Sequence, residues 1–106
     1  MNIQFKKGIL ELCVLSILSR KNCYGYELVN EILEFMEISE GTIYPLLRRL
    51  KMDNLVTTYL QESNEGPPRK YYQLTELGKE THSELILEWK LFQASINKIC
   101  LPEESK

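Results

Sequence analysis

Five cations are the residues of this 106-residue chain best placed to do chemistry. Arg48, Arg49 and Lys51 share the polar side of one helix-period segment, and Arg69-Lys70 directly follows Gly66-Pro67-Pro68. Guanidinium and ammonium groups gathered in this way suit phosphate oxygens, the ligand class that supplies most of the affinity in nucleic-acid binding. The whole chain is slightly acidic, with 13 Lys+Arg against 15 Asp+Glu and a net charge of -2, which excludes a uniformly basic coat or a polybasic anchor. The basic site must therefore be local. Residues 39–79 carry six basic and five acidic groups, whereas residues 1–38 carry four and five and residues 80–106 three and five. Only the middle segment is net positive, so a mildly acidic protein can present one cationic face.

Other chemistries find little support. The sequence has no Gly-rich phosphate loop, no nucleophile elbow and no carboxylate cluster, and its single histidine, His82, reads as an exposed helix residue without a nucleophile beside it, so no enzyme is expected. Cys13, Cys23 and Cys100 are odd in number and lack CxxC spacing, so neither zinc nor a disulfide framework is expected, and no cofactor. The cysteines read as core or interface filler. Cys23, beside Lys21, is the one faint candidate for a redox thiol, because a nearby cation lowers a thiol pKa. The apolar run Ile9 to Leu18, broken by Glu11 and Ser16, is too short for a bilayer span. With only Lys6 and Lys7 before it and no small-residue cleavage site after, it is not expected to be a secretory signal, and a cytoplasmic protein is expected.

The elements that must position the cations follow from periodicity. Gly8 to Arg20 is apolar nearly all round, as expected of a helix central to a core. Tyr24 to Met36 places Leu28, Val29, Ile32, Leu33, Phe35 and Met36 on one face of a second helix. Ser39 is the expected N-cap of a third, its hydroxyl accepting from a first-turn N–H, and Ile43, Leu46, Leu47 and Leu50 form that helix's apolar face as far as about Asp53. Pro45 breaks a local rule, since proline beyond the first turn removes a backbone bond; either the helix starts nearer Thr42 or it bends there. Leu55–Glu62 and Arg69–Leu74 read as the strands of a hairpin, with residues 63–68 as a long tip. Tyr71 and Tyr72 alternate faces, so one of them must be buried. Thr75 then caps a last helix ended by Pro102 and a polar tail.

Three helices followed by a hairpin is the order of a winged helix-turn-helix: a mainly α fold of three helices and a two-stranded β-wing, here with a long C-terminal helix. We divide the chain into a DNA-binding domain, residues 1–75, and a C-terminal dimerisation helix and tail, residues 76–106. In that last helix Leu85, Trp89, Phe92, Ile96 and Ile99 recur at a coiled-coil period. So small a domain offers them no internal partner, and a second copy of the chain is expected to cover them, together with the partner's first helix.

Four blocks carry a family resemblance: LELCVLSIL (10–18), YGYEL (24–28), ISEGTIYPLLRRL (38–50) and GPPRKYYQLTELG (66–78). In this order and at this spacing they resemble the PadR family of bacterial transcriptional regulators. The resemblance implies a homodimeric repressor of the small subclass, binding a pseudo-palindromic double-stranded DNA operator. It also implies that the helix containing Ser39, Gly41, Thr42, Tyr44, Pro45, Arg48, Arg49 and Lys51 enters the major groove. Thr42, Tyr44 and Arg48 would touch bases or phosphates, Arg49 and Lys51 phosphates, and Gly41 would let the backbone approach closely. Tyr24 matches a phosphate contact made through its hydroxyl, Arg69 and Lys70 match the basic pair of the wing, and Tyr26 is expected in the core. Trp89, in a Leu-Glu-Trp context, matches the tryptophan against which members that sense drugs hold flat aromatic compounds, so a small aromatic or hydrophobic effector is implied. The alternative is a winged-helix adaptor that binds proteins without DNA, because a fold does not fix a function.

Overall fold

The computed structural model describes residues 3–103; the end of the charged tail, the residues before Ile3 and the side chains of residues 3–7, Lys6 and Lys7 among them, lie outside the described residues. The elements are α1 (Ile3–Arg20), β1 (Cys23–Tyr24), α2 (Gly25–Leu33), α3 (Glu40–Met52), β2 (Val56–Ser63), β3 (Gly66–Leu74) and α4 (Glu76–Cys100). The expected winged helix is present: three helices and a wing, followed by a long helix, with an antiparallel sheet of strand order β1-β3-β2.

α1 is central, which explains its all-round apolarity. Leu10, Val14, Leu15, Ile17 and Leu18 are buried among Leu28, Val29 and Ile32 of α2 and Ile43, Leu46, Leu47 and Leu50 of α3. Its remaining side faces the first half of α4. There Ser16 Oγ and His82 Nε2 lie 2.9 Å apart in a half-buried hydrogen bond. His82 is therefore part of a helix–helix contact, and the expectation of an exposed residue is corrected: the turn that carries it packs on α1.

α2 is shorter than its periodicity suggests. Tyr24 leaves the helix for a strand, because Cys23 and Tyr24 pair with Tyr72 and Tyr71 of β3. At the other end Phe35 N–H and Met36 N–H both turn back to the Ile32 carbonyl, and Phe35 is 85% exposed. The apolar side chains beyond Ile32 find less of the core to cover them, and the helix stops.

α3 ends in a Schellman arrangement. Asn54 takes the left-handed conformation at φ 63°, its N–H bonds to the Lys51 carbonyl, and Leu55 N–H bonds to the Leu50 carbonyl. The same junction anchors α4. Thr75 Oγ1 donates to the Asn54 carbonyl at 2.6 Å and accepts from Gly78 N–H at 2.9 Å, the expected cap. Gly78 is obligatory here, since a Cβ would fall 2.0 Å from the Leu55 carbonyl oxygen.

The wing is tighter than expected. Only Asn64-Glu65 form its turn, and Gly66-Pro67-Pro68 belong to β3 instead of a long tip. The prolines are tolerated because β1 reaches only Tyr71 and Tyr72, leaving that part of β3 at an edge, and because the register with β2 shifts between Gln61 and Ser63.

Candidate nucleic-acid interface

The buried residues of α3 fix which of its side chains face outward. With Ile43, Leu46, Leu47 and Leu50 inside, the exposed line is Gly41, Pro45, Arg48 and Met52, at spacings of four, three and four. Tyr44 and Lys51 flank it on one side, Thr42 and Arg49 on the other. α3 begins at Glu40, so Pro45 stands in the second turn and not the first. That removes the alternative of a start near Thr42, and the Gly41 carbonyl loses its intrahelical donor on the exposed side. Ser39 is the N-cap by conformation, but its hydroxyl caps no backbone N–H. It instead lies 3.4 Å from the Thr42 hydroxyl, which corrects the expected cap.

On the Tyr44 side, α3 and the sheet enclose an open hollow of about 410 Å³ lined by Tyr24, Gly25, Tyr26, Tyr44, Arg48, Arg69, Lys70 and Tyr72. Five of the residues picked out by sequence, Tyr24, Tyr44, Arg48, Arg69 and Lys70, thus converge from three elements on one concavity. Gly25 permits this, because a Cβ there would meet Tyr44 Cε1 at 3.1 Å. Tyr72 forms the floor: burial pushes its hydroxyl pKa up, the Tyr44 hydroxyl adds to the rise, and the Arg48 charge opposes it. Tyr71, on the opposite face, stays half-buried.

The other candidates lie apart from this hollow. Thr42, Pro45 and Arg49 line a smaller one with Leu10 and Leu46 on the α1 side, and Arg49 Nη2 donates to Glu11 Oε1 of α1. Lys51 is exposed. Tyr26 is 59% exposed rather than in the core, since the first turn of α2 turns it outward toward the hollow. Tyr26 and Tyr72 were missed as lining residues. The Tyr-Gly-Tyr run at a helix start was the available signal, but without β1 its placement beside the wing could not be seen.

The proposed interface helix divides in two. Leu85 packs against the protomer's own core, and Trp89 is half-buried beside α1 and the end of α2. Phe92, Ile96 and Ile99 are exposed, as are Leu87 and Leu91. Trp89 and Ile86 border an apolar hollow of about 390 Å³ with Ile9, Leu12, Phe35 and Met36.

The cysteines differ from one another. Cys23 is buried and its thiol is pushed up to about 11, mainly by burial and then by the Glu27 carboxylate, so the low pKa a redox thiol needs is absent. Burial also raises Cys13, and Cys100 is exposed. Among the described residues, no group of three or more His, Cys, Asp or Glu could hold a metal ion, and no helix is long and apolar enough to cross a membrane.

Comparison with known proteins identifies the family of the chain. Residues 14–84 match the model of the transcriptional regulator PadR-like family. A PadR-like transcriptional regulator from Bacillus cereus is similar in structure, with a TM-score of 0.85 and 39% identity over 94% of this chain and 99% of that one. An uncharacterized protein of Lysinibacillus sphaericus is 36% identical over 78% of this chain and 80% of its own length. The transcriptional regulator YqjI of Escherichia coli is 33% identical over 92% of this chain, which spans only 47% of that longer protein.

Proposed function

The chain belongs to the PadR-like family of transcriptional regulators, which act on DNA, and from that membership we propose that it is a homodimeric, effector-responsive repressor of a pseudo-palindromic operator. The observation that carries the DNA reading is the convergence of Tyr24, Tyr44, Arg48, Arg69 and Lys70 on one hollow between α3 and the wing. In this reading the exposed line of α3 enters the major groove. Arg48, at its centre, is the residue suited to the O6 and N7 acceptors of a guanine. Thr42 and Tyr44 reach bases or phosphates on either flank, and Arg69 and Lys70 straddle the adjoining backbone or a narrow minor groove. Arg49 and Lys51 add phosphate contacts at the margins.

Dimerisation supplies the second half-site. The uncovered face of α4 carries Phe92, Ile96 and Ile99, continuous with Leu85 and Trp89, and the apolar hollow beside Trp89 offers a seat for the partner's helix. Such an interface sets the separation of the two recognition helices, and operator symmetry mirrors it. An aromatic or hydrophobic effector held against Trp89 would shift the protein toward a subunit spacing that misfits the operator, by as much as its affinity differs between the two states. Titration of duplex DNA over a salt series, with the basic residues replaced, tests the DNA reading.

A further inference from the structure

The register of the sheet lines up three phenol rings. Tyr24 of β1 is the cross-strand partner of Tyr71 in β3, and Tyr71 is the partner of Tyr59 in β2, so all three project from one face. Tyr59 stacks on Tyr71 with centroids 5.6 Å apart at 15°, and Tyr24 meets Tyr71 edge-on at 5.5 Å and 62°. Asn22 Nδ2 donates to the Tyr59 hydroxyl at 3.1 Å, tying the far end of the row back to the segment that leads into β1. Arg69, two residues before Tyr71 on the same face of β3, lays its guanidinium over the Tyr24 ring, 4.5 Å from the centroid. This differs from the arrangement of Arg49, which meets a carboxylate: a ring face orients a guanidinium and leaves its charge available to a phosphate.

We propose that the Tyr24 ring, whatever its hydroxyl contacts, positions Arg69, so that the tyrosine row presets the wing arginine at the rim of the α3 hollow, which both residues line, before nucleic acid arrives. The ordering of a long, rotamer-rich side chain is then completed in the free protein instead of being charged against binding. The inference rests on the DNA-binding reading, and its test separates the two.

The measurement is the affinity of the full chain for a fluorescently labelled mixed-sequence duplex, in the parent and in Tyr24→Phe and Tyr24→Leu, each of the two also combined with Arg69→Ala. Both Tyr24 variants lack the hydroxyl, so their difference isolates the ring. Tyr24→Leu is expected to bind about 2–5-fold more weakly than Tyr24→Phe, the size of an exposed cation–π contact, and the two are expected to bind alike once Arg69 is alanine. A Phe variant as weak as the Leu variant, or an undiminished difference between them with Arg69→Ala, would overturn the proposal. NMR supplies a readout independent of DNA: the Arg69 Cδ protons should be displaced upfield by the ring in the parent and in Tyr24→Phe, and lose that displacement in Tyr24→Leu. Undisplaced protons in the parent would overturn the positioning role. A parent that shows the displacement yet fails to bind any duplex would refute DNA binding, and with it a role for the preset arginine there.

Discussion

The Arg49 guanidinium of α3 closes on the Glu11 carboxylate of α1, the side chains being 47% and 24% exposed. Half-exposed pairs of this kind add about 0–1 kcal/mol to stability, so the fold does not depend on it. Its consequence is electrostatic, because Glu11 already neutralises a cation at the edge of the proposed DNA face. Glu11→Gln is therefore expected to raise affinity for mixed-sequence DNA and to steepen the dependence of log K on log salt by about one phosphate contact per protomer. Parallel salt titrations of parent and variant check this. An unchanged slope, or weaker binding, would mean that Glu11 supports Arg49 and does not compete with phosphate for it.

The exposed half of α4 makes a separate prediction about assembly. Phe92 and Ile96 are 51% and 39% exposed in the protomer, and charge at either position would be costly to bury across a dimer interface. Phe92→Glu/Ile96→Glu is expected to sediment as a folded monomer while the parent sediments as a dimer. The core contacts of Leu85, about two to three turns earlier on the same helix, should keep the far-UV circular dichroism unchanged. A double variant that remained dimeric would place the interface elsewhere.

Cys23 predicts how stability responds to alkali. Burial pushes its thiol in the folded protein up to about 11, above the ordinary thiol value of about 9, so the folded state holds this proton more tightly than the unfolded chain does. That contribution is complete below about pH 9, the unfolded value, and is lost as pH rises toward 11. Burial shifts Cys13 and Tyr72 in the same direction. Urea midpoints measured across this range should fall in the parent and fall less steeply in Cys23→Ala. At neutral pH a thiol-specific reagent should modify Cys100 first and Cys23 last; early modification of Cys23 would contradict its burial.

Much of this architecture was legible because local signals agreed with the tertiary fold. Thr75 announced the start of α4, the apolar spacing of Ile43, Leu46, Leu47 and Leu50 set the inner face of α3, and the wing's basic pair followed from its position beside Gly66-Pro67-Pro68. What stayed hidden were relations between distant segments. β1 is two residues long, and nothing local distinguishes it from a helix start; its pairing with Tyr71 and Tyr72 draws Tyr24 out of α2 and completes the tyrosine row. Likewise Glu11–Arg49 and Ser16–His82 join residues separated by 38 and 66 positions, beyond the reach of periodicity. The resemblance implies a core position for Tyr26, but Leu28, Val29 and Ile32 set the inner face of α2 and leave Tyr26 off it.

The most direct test is DNA binding itself, measured with the DNA upstream of the protein's own gene against a scrambled duplex over a salt series, in the parent, Arg48→Ala and Arg69→Ala/Lys70→Ala. The parent is expected to bind as a dimer with a steep negative salt slope and to prefer the upstream DNA. The wing double variant should weaken binding about equally on both duplexes and reduce the slope by about two per protomer, whereas Arg48→Ala should also erode the preference. A folded dimeric parent that bound neither duplex, or a wing double variant with an unchanged slope, would contradict the assignment of this face to DNA.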